Sequence, residues 1–109
     1  MQPTSQYAKE IAQTILQQMG GRHFVAMTGV RNLVYGENQW GPYLQMRLSK
    51  NKNRYTHLIV QYYEATDIYG MDFMQVNKDG IRKSVEIPNV YCDDLAELFE
   101  EHTGLYTSL

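Results

Sequence analysis

Residues 42–48 read PYLQMRL, and these positions decide the fold. Leu44, Met46 and Leu48 alternate with Tyr43, Gln45 and Arg47, so every second side chain is aliphatic or thioether. Strand side chains point to opposite faces with a period of two, so this stretch is a strand with one face on a core and one face toward water. A sheet of such strands needs helices on one side only, and the search moves outward for them.

Toward the C-terminus, KNKNR (50–54) reads as a loop, and YTHLIVQYY (55–63) and DIYGMDFMQV (67–76) as further strands. NKDG (77–80) is a hairpin turn in which Gly80 takes positive φ. In IRKSVEI (81–87), Ile81, Lys83, Val85 and Ile87 alternate with Arg82, Ser84 and Glu86, as in an edge strand with Lys83 partly exposed. Pro88 is expected to stop that strand, and Asp93 to cap a last helix whose inner face is Leu95, Leu98 and Phe99 and whose end is Gly104. Leu105, Tyr106 and Leu109 follow that glycine, where a returning chain often lays an apolar residue on the last turn. These three either finish the core or form an interface, and the core is the expectation because large exposed apolar patches are rare.

Toward the N-terminus, ENQWGP (37–42) is a turn, and HFVAMTG (23–29) and RNLVYG (31–36) read as strands bending near residues 29–32. Before them, in residues 4–21, Ala8, Ile11, Ala12, Ile15, Leu16 and Met19 recur at helical spacing, with Thr4 or Ser5 placed to cap the start and Gly20 and Gly21 to stop the helix. The expected architecture is therefore one α+β domain over residues 1–109: an N-terminal helix, an antiparallel meander of about five strands, and a C-terminal helix on one face. There are no repeats, linkers or low-complexity segments.

At 109 residues the chain holds one core without staples, and 43% hydrophobic with 20% charged residues is globular composition. The N-terminus lacks a charged segment leading into an apolar run, and no stretch approaches a membrane span, so a soluble intracellular protein is expected. Cys92 is the only cysteine, which excludes an internal disulfide and a cysteine zinc cluster and reads as a small buried residue in a reducing compartment. His23, His57 and His102 show no metal-ligand spacing, and neither a phosphate loop nor a serine elbow is present. Asp67, Asp72, Asp93 and Asp94 are candidate acids without a distinguishing pattern, and Asp93 and Asp94 suit a helix start. The chain is read as non-enzymatic, without metal or cofactor; a small hydrolase using Cys92 or the aspartates ranks last.

Two charged segments stand out. Arg47, Lys50, Lys52 and Arg54 gather four of ten basic residues beside Tyr43, Tyr55 and His57. A hairpin that brings Tyr43, Arg47, Tyr55 and His57 to one face offers cations for phosphates and rings for bases, which suits single-stranded nucleic acid; the alternative is a solvated loop protecting a sheet edge. Asp93, Asp94, Glu97, Glu100 and Glu101 make the last helix acidic, and Asp94, Glu97, Glu100 and Glu101 with Tyr106 form a candidate partner surface or an ordinary solvated face. A net charge of −2 argues against a dedicated nucleic-acid binder and favours a protein partner, with a homodimer through opposite patches as one version.

Over residues 20–109, GGRHFVAMTGVRNLVYG (20–36) and VYCDDLAELFEEHTGLYTSL (90–109) resemble a group of small proteins of bacteriophages, prophages and other mobile elements. The resemblance rests on Met27, Thr28, Gly29, Val34, Tyr35, Gly36, Tyr91, Leu95, Phe99, Thr103, Gly104, Leu105 and Tyr106. It supplies no established catalytic or binding residues. It implies a phage-type accessory protein in the bacterial cytoplasm that acts by binding host or phage macromolecules as an inhibitor or adaptor.

Overall fold

The computed structural model describes residues 6–107. Helix α1 (Gln6–Met19) turns Ala8, Ala12, Ile15 and Met19 inward, the four positions that its period places on one stripe. The capping residues Thr4 and Ser5 lie outside the described residues. Gly20 and Gly21, at φ 125° and 60°, end α1 and start a second helix at once, a corner open to residues without a side chain.

That second helix, α2 (Gly21–Thr28), corrects the strand expected at residues 23–29. Phe24 and Thr28 are buried four residues apart, and the Thr28 hydroxyl donates to the Phe24 carbonyl at 2.6 Å. Gly29 closes the helix in the left-handed region, its N–H donating to Val25 O. A seven-residue apolar run fits both periods, and packing on α1 and the sheet decides in favour of the helix.

Five strands follow as an antiparallel meander in the order β1-β2-β3-β4-β5: β1 (Arg31–Asn38), β2 (Gly41–Arg47), β3 (His57–Tyr63), β4 (Ile68–Asn77) and β5 (Gly80–Val90). β5 is an edge, as its composition implied, but Pro88 does not stop it. The strand runs on to Val90 because Pro88 and Asn89 form an irregularity between the Met71–Ile87 and Tyr69–Val90 pairs, where a missing N–H costs no ladder bond.

A short 3₁₀ turn (Cys92–Asp94) leads into α3 (Leu95–Thr103). Asp94 rather than Asp93 occupies the cap position, and neither side chain caps the helix. Leu44, Met46, Leu58, Val60, Met71 and Phe73 from one sheet face meet Ile15, Met19, Phe24, Leu95 and Phe99 from the three helices in a single core. Phe99 holds its ring 4.9 Å from Phe24, edge to face.

After α3 the chain is anchored. Gly104 N–H donates to Glu100 O, Leu105 packs against the core, and Thr107 is buried, donating from its N–H and hydroxyl to the Glu100 carboxylate at 2.7 and 3.0 Å. Tyr106 points outward, 71% exposed, and Leu109 lies outside the described residues.

Candidate binding face

Because all three helices cover one side of the sheet, the side chains of opposite parity form an open face. Strand register arranges that face in cross-strand rows. One row runs Gly36, Tyr43, Gln61, Gly70; the next runs Val34, Gln45, Ile59, Asp72, Glu86; a third runs Arg47, His57, Met74, Ser84. From the first two rows Tyr43, Gln61, Gly70, Gln45, Ile59, Asp72 and Glu86, with Trp40 and Tyr63, line a concavity of about 730 Å³ to which no helix contributes a residue.

Glycines make room for the rings of this hollow. A Cβ on Gly36 would stand 2.5 Å from the Tyr43 hydroxyl oxygen, and one on Gly70 3.0 Å from the Tyr63 ring, so each tyrosine lies over a glycine. Trp40, in the β1–β2 turn, sits 6.3 Å from Tyr63, centroid to centroid, and is 53% exposed. Gln61 is structural: its Nε2 donates to the carbonyls of Gly41 and Tyr62 at 3.0 and 2.9 Å, and its Oε1 accepts from Asn38 Nδ2 at 2.8 Å, fixing that turn to β3.

At the β4–β5 side of the hollow, Asp72 and Glu86 face each other directly across the strands. Like charges so placed repel. The Asp72 Oδ1 is buried without a hydrogen-bond partner, and burial, then the Glu86 charge, raises its carboxyl above the ordinary 3.8. Glu37, on the hollow's other side, adds a third acid. In the third row, Arg47 and His57 pair across β2 and β3; burial and then the arginine charge lower the His57 imidazole. The open face is thus cationic at one corner and anionic at another.

The residues proposed for nucleic acid are divided. Tyr43, Arg47 and His57 share the open face as expected. Tyr55 does not: it is buried, 5.5 Å from Phe73, with Lys83 Nζ 4.9 Å from its ring centroid. The strand reading of YTHLIVQYY began two residues early; Asn51 gathers the loop by donating to Ser49 O and Tyr55 O, and this turns Tyr55 inward. Lys50 and Arg54 are exposed, Arg54 at a left-handed turn with φ 60°. Lys52 donates its N–H to Thr103 O, and its methylenes pack where a Cβ on Gly104 would stand, while Asn53 Nδ2 donates to His102 O. The basic loop therefore lies at the C-terminal end of α3, where positive charge suits the helix dipole.

Of the acidic set, Glu97 and Glu101 are exposed, Asp94 is half-buried and Glu100 is committed to Thr107. Cys92 is half-buried, its Sγ donating weakly to Asp93 at 3.6 Å, with no histidine among its partners. Among the described residues no three His, Cys, Asp or Glu side chains gather as a metal site, and no helix is long and apolar enough to cross a membrane.

Sequence reasoning missed Trp40, Gln45, Ile59, Tyr63 and Glu86 as one surface and left Asp72 as an isolated acid. The signal lay in parity, since these residues occupy the non-core positions of strands already identified, but it needed the register to become a row. Compared with protein-family models, with curated proteins and with solved structures, the chain matches none of them significantly.

Proposed function

We propose that this protein is a non-enzymatic accessory protein of the phage type that binds a host or phage protein through the open face of its sheet. One observation carries the reading: a concavity lined by Trp40, Tyr43, Tyr63 and Ile59 faces water although the described residues include three helices, and all of them cover the other side. An exposed Trp40 beside half-buried Tyr43 and Tyr63 around a hollow is the kind of aromatic cluster found at the centres of protein interfaces. The exposed Glu97, Glu101 and Tyr106 form a smaller second surface, with half-buried Asp94 beside them and Glu100 tied to the tail. A second copy of the chain is one form of partner, which light scattering reads directly.

The test is affinity capture from bacterial lysate with wild-type chain, the Tyr43→Ala/Tyr63→Ala variant and the Glu97→Gln/Glu101→Gln variant. A partner retained by the helix variant and lost by the open-face variant supports the reading; the reverse pattern moves the site to α3.

A second reading, single-stranded nucleic acid, is favoured by the pairing of Arg47 with His57 on the same face as Tyr43. Fluorescence anisotropy with labelled oligonucleotides at low and physiological salt measures it. Phosphate contacts make such binding fall steeply with salt, and absence of binding at low salt removes this reading.

A further inference from the structure

We propose that the hollow of the open face receives an arginine side chain of the protein partner, its guanidinium held by Asp72 and Glu86 and flanked by the aromatic rings of the concavity. This rests on the open-face reading above and specifies the chemistry of its partner. Three observations support it.

First, the carboxylate pair is unanswered. Asp72 and Glu86 are direct cross-strand neighbours, no basic side chain among the described residues pairs with either, and the charge acting on Asp72 is the repulsive one of Glu86. Asp72 Oδ1 lacks a hydrogen-bond donor, and among the described residues no cation offsets that charge. A cation arriving from outside removes the repulsion and gains attraction to both acids.

Second, the carboxylates stand in a hollow of about 730 Å³, large enough for a side chain, rather than on a convex surface. Tyr43 and Tyr63 lie over the sheet on their glycines and Trp40 stands at the rim. Aromatic faces attract cations, and a planar guanidinium stacks on them as well as pairing.

Third, two carboxylates side by side match a planar donor. Five N–H groups in a fixed fork address both acids at once, whereas the ammonium of lysine is a compact, strongly hydrated point charge. The charge of Arg47 at the opposite corner repels a second cation, so the favoured segment carries its arginine at the β4–β5 side and a neutral or acidic residue toward β2 and β3.

The experiment titrates the full chain with an end-blocked peptide of glycine and serine carrying one arginine, followed by Trp40 fluorescence and by amide shifts of β3, β4 and β5. The same peptide with citrulline, the uncharged isostere, and with lysine are the comparisons. Saturable binding of the arginine peptide, at least about tenfold weaker with citrulline and in both Asp72→Asn and Glu86→Gln, is the expected result. Lysine is expected to fall between the two. Equal binding of arginine and citrulline, binding unchanged in the two variants, or no saturable binding overturns the proposal. Both substitutions are isosteric and relieve repulsion, and circular dichroism confirms their fold.

The capture experiment fails separately. Selective arginine binding together with capture that ignores the open face removes the partner reading and leaves the cation pocket. Capture that depends on Tyr43 and Tyr63, with no selectivity for arginine, overturns the pocket alone.

Discussion

The two faces of the sheet are built by the same strands from alternate residues, yet they have been shaped by different demands. On the covered face Met46, Leu58, Val60 and Phe73 are fully buried under three helices, and every large side chain there finds apolar neighbours. On the open face the alternate positions hold Gln45, Ile59, Tyr63 and Asp72, none fully buried and none covered by a helix. A face selected only for solubility carries small polar and charged residues. This one keeps rings over glycines and two acids opposed across neighbouring strands.

The comparison is broken most directly by substituting one large residue on each face. Phe99→Ala removes a ring packed on Phe24 and Phe73 and is expected to cost about 3–5 kcal/mol in urea unfolding. Tyr63→Ala on the open face is expected to cost roughly 1 kcal/mol, within the ordinary range for single substitutions. Comparable losses would mean that the open face serves stability rather than binding.

Next in size is the turn that holds Trp40 at the rim. Gly41 adopts φ 140°, and a Cβ there would stand 2.7 Å from the Tyr62 carbonyl oxygen. Gly41→Ala is expected to lower stability by about 1–3 kcal/mol and to change Trp40 fluorescence. Gly80 has positive φ but nothing within 4 Å, so Gly80→Ala carries the backbone cost without the clash and is expected to lose less in the same unfolding assay.

A smaller effect is expected at the tail. Thr107→Val removes the hydroxyl donated to the Glu100 carboxylate and keeps the N–H bond, so thermal unfolding should report a loss of about 1 kcal/mol.

The smallest effect sharpens the comparison through pH. The Asp72 carboxyl is raised, so the folded chain holds this proton more tightly than the unfolded chain does. Its contribution to stability is present below the ordinary value of 3.8 and is lost as pH rises through the folded value. Asp72→Asn lacks that loss. Its stability relative to wild type should therefore improve between pH 3 and pH 7, by a small margin because Asp72 is partly solvated. A variant whose stability relative to wild type falls or stays level over this range contradicts the repulsive environment assigned to the pair.

Most of the fold was legible because period-two patterning is strong from Tyr43 onward: the β2 alternation, the Asn77 to Gly80 turn and the Gly104 stop all stand where the residues indicate. The β5 edge follows from the same pattern. Residues 21–28 were not legible as a helix because a short apolar run fits both periods, and only the Gly20–Gly21 corner and the burial of Phe24 separate them. The candidate site was legible in part. Tyr43, Arg47 and His57 share one strand pair and one parity, so their common face could be read. Tyr55 could not, since Asn51 reorganises the loop by hydrogen bonds that no spacing rule encodes. The Asp72–Glu86 pair depends on exact register between β4 and β5, which an irregular hairpin conceals.

The central claim is that the open face is the binding surface, and the chain's single tryptophan, Trp40, stands on its rim, 53% exposed. The most direct measurement is acrylamide quenching of Trp40 fluorescence in the free chain and in complex with its captured, tryptophan-free or fluorotryptophan-labelled partner. The account predicts strong quenching in the free chain and marked protection in the complex. Protection absent in a fully formed complex would place the partner elsewhere and contradict it.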